Sequence, residues 1–155
     1  MDLSDLEILK SAEQLSDSLW HSISQWSSLT KETVGVQLIR STDSIGANIV
    51  EAFGRFHFGD KVKFFYYSRG SIFETKFWLN RALSRNLLPQ KEVDEYLSQL
   101  TILAKRLNAL VKSTKEQSKK SPRKSIGENS LPYFINTEDD LFTESDLEIL
   151  SRMEN

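Results

Sequence analysis

Leucine, isoleucine and valine recur three and four residues apart through four long segments, and no stretch alternates with period two for long enough to propose a sheet. That pattern restricts the fold to packed helices. The first segment opens at Ser4, with Glu7 in capping-box spacing, and runs through Leu9, Leu15, Leu19 and Ile23 to about Leu29. Thr30 caps the second, which follows Val34, Leu38, Ile45, Ile49 and Phe53 to Gly54. A turn over residues 54–59 leads to Asp60, the cap of a third segment that ends near Arg85. Asn86 and Pro89 mark the next break, and the fourth segment follows Val93, Leu97, Leu100, Leu103, Leu107 and Leu110 to about Lys115. Short connections set neighbours antiparallel, so residues 1–115 are predicted to form an all-α, antiparallel up-down four-helix bundle.

A chain of 155 residues suits one domain with a sizeable core. The absence of cysteine removes disulfides, zinc-thiolate sites and thiol nucleophiles, and fits a reducing cytoplasm. No apolar run approaches the ~20 residues that span a bilayer, and the acidic start Met1–Asp5 lacks the basic residues of a secretory signal. The chain therefore reads as soluble, without a membrane partner.

The net charge of −2 conceals an uneven distribution. Residues 1–115 carry 15 basic and 13 acidic side chains, residues 112–124 six basic and one acidic, and residues 125–155 one basic and eight acidic. A near-neutral body is thus followed by a basic hinge and an acidic tail. Residues 116–142, rich in Ser, Lys and Asn with two prolines, read as a flexible linker. A short capped helix is predicted over 143–153, where Ser145–Leu150 repeats Ser4–Leu9 letter for letter. The repeat suggests that the tail can occupy the groove filled by the first turn of the first helix, although capped helix starts draw on a narrow alphabet.

Catalytic chemistry has little material. His21 and His57 stand on different segments, and there is no Glu-x-x-His pair, nucleophile elbow or glycine-rich phosphate loop. No enzyme activity, catalytic residue, metal, cofactor or small-molecule substrate is predicted. Two other features carry information. The third segment holds Phe64, Phe65, Tyr66, Tyr67, Phe73, Phe77 and Trp78, more ring surface than one core face covers. Either some rings lie beneath Lys and Arg stems or they meet another subunit; the second is expected. The segment from Ser44 to Arg55 places Asn48, Glu51 and Arg55 on one helical stripe. A turn centred on residue 57 sets Arg40 opposite Glu74, Glu51 opposite Lys63, and Asn48 between Tyr66 and Arg69. Arg40, Asn48, Glu51, Arg69 and Glu74 are therefore expected to form a polar network that fixes register.

Basic residues interleave with rings at the turn: Arg55, His57, Lys61 and Lys63 around Phe56 and Phe58. The hinge adds Lys112, Lys115, Lys119, Lys120, Arg123 and Lys124. Cations beside aromatics suit a phosphate backbone and exposed bases, so these residues are the candidate nucleic-acid or partner surface.

The segment Ile39-Arg40-Ser41 followed by Ser44-Ile45-Gly46-Ala47-Asn48-Ile49-Val50-Glu51-Ala52-Phe53-Gly54-Arg55 resembles the signature of bacterial four-helix-bundle proteins first noted in 23S rRNA intervening sequences. That group includes the accessory variability determinant of diversity-generating retroelements. A second match, Ser68-Arg69-Gly70-Ser71-Ile72-Phe73-Glu74-Thr75 within Phe64–Ala82, resembles the family's third-helix pattern. The resemblance covers about residues 5–113 and departs from the usual Glu-Gly at Glu51-Ala52. It implies a homopentamer and, for retroelement members, binding to a reverse transcriptase and to RNA or DNA through a basic surface. The expected function is accordingly a non-catalytic oligomeric accessory protein. The alternative is an oligomeric scaffold with no nucleic-acid role, whose tail recruits a partner protein.

Overall fold

The computed structural model describes residues 3–120 and 140–152, with side chains described from Glu7 onward. Every regular element among them is helical: α1 (Leu3–Ser24), α2 (Ser28–Thr30), a π-helical turn (Lys31–Gly35), α3 (Val36–Gly54), α4 (Phe58–Ser84), α5 (Gln90–Lys120) and α6 (Glu144–Ser151). No helix is long and apolar enough to cross a membrane among the described residues.

The long helices bury one continuous apolar stripe each, led by Leu15, Leu38, Ile45, Phe65, Ile72 and Leu100. Numbers fall on one helix as they rise on its neighbour. Across α3 and α4, Ser41 meets Thr75 at 3.1 Å, the Ser68 hydroxyl donates to the Ile45 carbonyl at 3.0 Å, and the Phe53 and Phe65 rings meet edge-on at 6.2 Å. Across α1 and α3, Ser16 donates to Asp43, and Gly46 faces Ala12. Across α1 and α5, Ser18 and Ser22 share the Tyr96 hydroxyl at 3.3 and 3.2 Å, while Arg106 reaches Ser11 and the Glu7 carbonyl.

Element boundaries differ from the sequence expectation where hydroxyls compete with the backbone. The first helix stops at Ser24, not near Leu29. Ser24 donates back to the His21 carbonyl at 2.7 Å, and the chain leaves the helix in a tight turn in which the Gln25 and Trp26 N–H groups donate to the Ser22 and Ile23 carbonyls at 3.3 and 3.0 Å. The cap of the next helix is Ser27, whose hydroxyl accepts the Thr30 N–H at 3.4 Å; Thr30 itself lies inside the helix. Helix α4 likewise starts at Phe58, with extended His57 in the cap position, which leaves Asp60 in the first turn, where its charge suits the helix dipole. Helix α5 continues to Lys120 because Lys115, Glu116, Gln117 and Lys119 all favour helix. At the α4–α5 turn, Asn86 adopts a left-handed φ of 54°, and α5 begins directly after Pro89.

Gly35 lets α1 and the π-helical turn approach closely. A Cβ there would lie 2.9 Å from the Ile23 Cγ2 and 3.4 Å from the Thr30 carbonyl. The Ile23 methyl hangs from a buried branch point and has little room to retreat. Gly35→Ala gains up to ~1 kcal/mol of helix propensity but overpacks a filled contact at a cost of ~1–3 kcal/mol. Denaturant unfolding is expected to report a net loss of about 1 kcal/mol, from the difference of those two effects.

The tail is not a free linker where it is described. Leu141 and Phe142 are buried, and α6 packs against α5. Residues 121–139, most of the predicted linker, lie outside the described residues.

Candidate interaction surfaces

Two surfaces emerge, one at an end of the helical body and one along α4 and α5. The first gathers at the α3–α4 break. Arg55 follows the last turn of α3, pairs with Glu51 four residues earlier, and lays its guanidinium 4.6 Å from the Phe64 ring centroid. Lys61 and Lys63 place their ammonium groups 5.7 and 5.8 Å from the Phe58 and Tyr67 rings. His57 meets Phe56 edge-on at 5.2 Å, and the Phe56 ring is 89% exposed. Cation–π contacts at exposed sites are worth only ~0.5–1 kcal/mol, so these groups stay available to phosphate.

The hinge lysines come to the same end by register. Arg69 of α4 and Asn108 of α5 bond adjacent residues of the tail, Leu141 and Phe142, and are therefore neighbours. Eleven residues onward from Asn108 is Lys119, and eleven back from Arg69 is Phe58, the start of α4. Lys119 and Lys120, both exposed in the last turn of α5, thus extend toward the end that carries Arg55, His57, Lys61 and Lys63. Arg123 and Lys124 lie outside the described residues.

The expected polar network takes a different form. Asn48 donates to the Ser44 carbonyl of its own helix at 2.8 Å, and Glu51 turns to Arg55 instead of Lys63. Arg40 and Glu74 are both exposed, and no ion pair joins them. Arg69 leaves the α3–α4 seam for the tail. Small hydroxyls hold register in place of the charges: Ser41, Ser68 and Thr75 are buried, and each bonds a backbone carbonyl or another hydroxyl. A hydroxyl needs one partner when buried, whereas an ion pair must repay the desolvation of two charges.

The aromatic load of α4 is divided. Phe65 is buried, Phe64, Tyr66, Phe73 and Trp78 are half-buried, and Tyr67 and Phe77 are exposed. The Lys63 ammonium lies 5.8 Å from the Tyr67 centroid and the Arg81 guanidinium 5.7 Å from that of Phe77, yet both aromatic residues remain about half exposed, at 48% and 53%.

The second surface was not anticipated as a site. Asn108 Nδ2 donates to the Phe142 carbonyl at 2.8 Å, and its Oδ1 accepts the Phe142 N–H at 2.7 Å. Arg69 Nε donates to the Leu141 carbonyl at 2.7 Å, and its Nη2 lies 3.1 Å from Asp146 Oδ1. The Phe142 ring stacks on Phe73 at 5.8 Å and lies 5.4 Å from the Arg69 guanidinium. Thr143 and Asp146 complete a capping box that starts α6. The repeated hexapeptide does not occupy equivalent grooves: Ile8 is buried in α1, whereas its counterpart Ile149 is 44% exposed, and Leu150 is the residue that α6 buries. The signal for this surface was present in sequence as Phe142, an apolar residue immediately before a capped helix with Leu147 at the staple position.

Burial alone would raise the pKa of Asp146, but the Thr143 N–H and hydroxyl and the Arg69 guanidinium outweigh it and hold the carboxyl below its ordinary value of 3.8. The folded-state value is depressed, so this contribution to tail docking is fully present above the ordinary value and is lost as pH falls through the folded one. Phe142 ring resonances are expected to stay at their docked positions from neutral pH down to about 4 and to shift below it. Asp146→Asn should abolish that step.

A search among curated proteins found none that matches. A family profile described as 23S rRNA-intervening sequence protein matches residues 4–109, which span α1 to Ala109 of α5 and exclude the docked tail. With the match extending over more than half of its length, the chain belongs to the 23S rRNA-intervening sequence protein family.

Proposed function

We propose that this protein is a non-catalytic, oligomeric accessory subunit that engages a reverse transcriptase and its RNA or DNA, as the resemblance to retroelement accessory proteins implies. The reading includes an antiparallel up-down bundle as the protomer, a homopentamer as the working assembly, and the cytoplasm as its location. The opposed registers of α1 with α3 and of α3 with α4 support the topology, and the absence of cysteine supports the compartment.

One observation carries the nucleic-acid role: Arg55, Lys61 and Lys63 rest on ring faces at one end of the body, beside an exposed Phe56 and toward the α5 lysines. Basic groups follow a phosphate backbone while rings stack on bases. A ring of subunits repeats that end and gains avidity without any new contact. The test is the salt dependence of binding to single-stranded RNA and DNA by the full chain, together with capture of a reverse transcriptase. Phosphate-driven binding weakens steeply as salt rises.

A second reading has its own support. The docked tail, with its specific contacts to Arg69 and Asn108, favours an oligomeric protein-interaction scaffold without a nucleic-acid role. A flat salt response and no retained nucleic acid would favour it.

A further inference from the structure

The body holds the C-terminal segment through its backbone, its acidic helix start and its aromatic ring. Asn108 bonds both backbone groups of Phe142, as a neighbouring strand would, and so holds the backbone at that position whatever its side chain. Arg69 spans two features with one guanidinium, the Leu141 carbonyl before the helix and the Asp146 carboxylate in its first turn. The Phe142 ring completes the contact against Phe73. Arg69 also lies 4.7 Å from the Phe73 centroid, four residues along the same helix, so cation and ring are set against each other by α4 itself.

Chain connectivity does not force this docking. The nineteen residues between Lys120 and Asp140 reach up to ~63 Å when extended. Asn108 lies twelve residues from the end of α5, about 18 Å of helix. The number of connecting residues therefore does not by itself place Phe142 beside Asn108, and the contacts to Asn108, Arg69 and Phe73 define the site. Helix α6, at eight residues, is too short to persist without the body it packs against. A site that selects by local contacts accepts the same chemistry from another chain.

We propose that Arg69, Phe73 and Asn108 form a recognition site for a partner protein that presents an aromatic residue directly before a capped, acidic helix start, in the pattern Leu-Phe-Thr-x-x-Asp. Residues 141–146 are the resident occupant, and the partner enters by displacing them. Because the resident belongs to the same chain, its docking is intramolecular and keeps the site closed to weak competitors. The site stands apart from the basic end and does not depend on nucleic-acid binding.

A fluorescent peptide of residues 139–153, titrated against the full chain and followed by anisotropy, tests this. Phe142→Ala in the full chain weakens the resident and is expected to tighten peptide binding at least tenfold relative to the parent. Adding Asn108→Ala or Arg69→Ala to that chain should reverse the gain, and a peptide carrying its own Phe142→Ala should not bind. Thermal melts report whether the variants keep a cooperative fold. Equal peptide affinity for parent and Phe142→Ala chains would overturn the proposal. So would loss of the cooperative melt in Phe142→Ala, because the segment would then be a fixed part of the fold.

Discussion

Phe65→Ala is expected to cost about 3–5 kcal/mol, the range for removing a buried phenylalanine whose cavity cannot fully collapse. Phe65 is fully buried in the main apolar cluster and meets Phe53 edge-on at the α3–α4 seam. The seam cannot close over the gap easily, because Ser68 and Thr75 on α4 are bonded across it to Ile45 and Ser41. Total stabilities of single domains are only ~5–15 kcal/mol, so the variant stands near the folding threshold. At ~2–4 °C per kcal/mol, its melting temperature should fall by about 6–20 °C. Phe77→Ala is the internal control. That ring is exposed in the single chain, so its loss should change protomer stability by less than ~0.5 kcal/mol. A Phe65→Ala chain that melts with the parent would mean that the seam is not part of the cooperative core.

The helices were legible in sequence because apolar spacing is a direct readout of what a helix must bury. Val34, Leu38, Ile45 and Ile49 all fall on the buried face as the period requires. The α1–α2 boundary was not, because a serine-rich stretch around residues 22–28 offers both helix and cap chemistry, and only the folded chain decides between them. The register of α3 against α4 was legible in number but not in residue type. Charges at matching positions suggested ion pairs, yet the seam uses Ser41, Ser68 and Thr75, whose single hydroxyls are cheaper to satisfy in a dry interface. Composition also misread Leu141 and Phe142 as linker. An apolar pair flanked by polar residues looks solvated until Asn108 and Phe73, more than thirty positions away, supply its partners.

Between about 50 and 200 mM salt, affinity for single-stranded nucleic acid should fall by about two and a half orders of magnitude if an assembled ring engages about six phosphates, and by more if it engages more. The estimate follows from counterion release: each neutralised phosphate contributes about −0.7 to the slope of log K against log salt for a single strand. One chain offers Arg55, Lys61, Lys63, Lys119 and Lys120 toward one end, so a pair of engaged subunits suffices. Lys61→Glu with Lys63→Glu removes two contacts per subunit and sets two carboxylates against the phosphates. The slope should then become shallower by about one to two for each engaged subunit. Lys63 is exposed and Lys61 is half-buried against Phe58, neither belongs to the apolar core, and the melt should be nearly unchanged. Phe142→Ala provides the orthogonal comparison, since it loosens the tail while leaving every cation of the basic end in place. If the double reversal leaves both the slope and the affinity unmoved, phosphates are not contacted at this end and the scaffold reading takes precedence. If the slope collapses while the melt holds, the cations over the rings carry the binding.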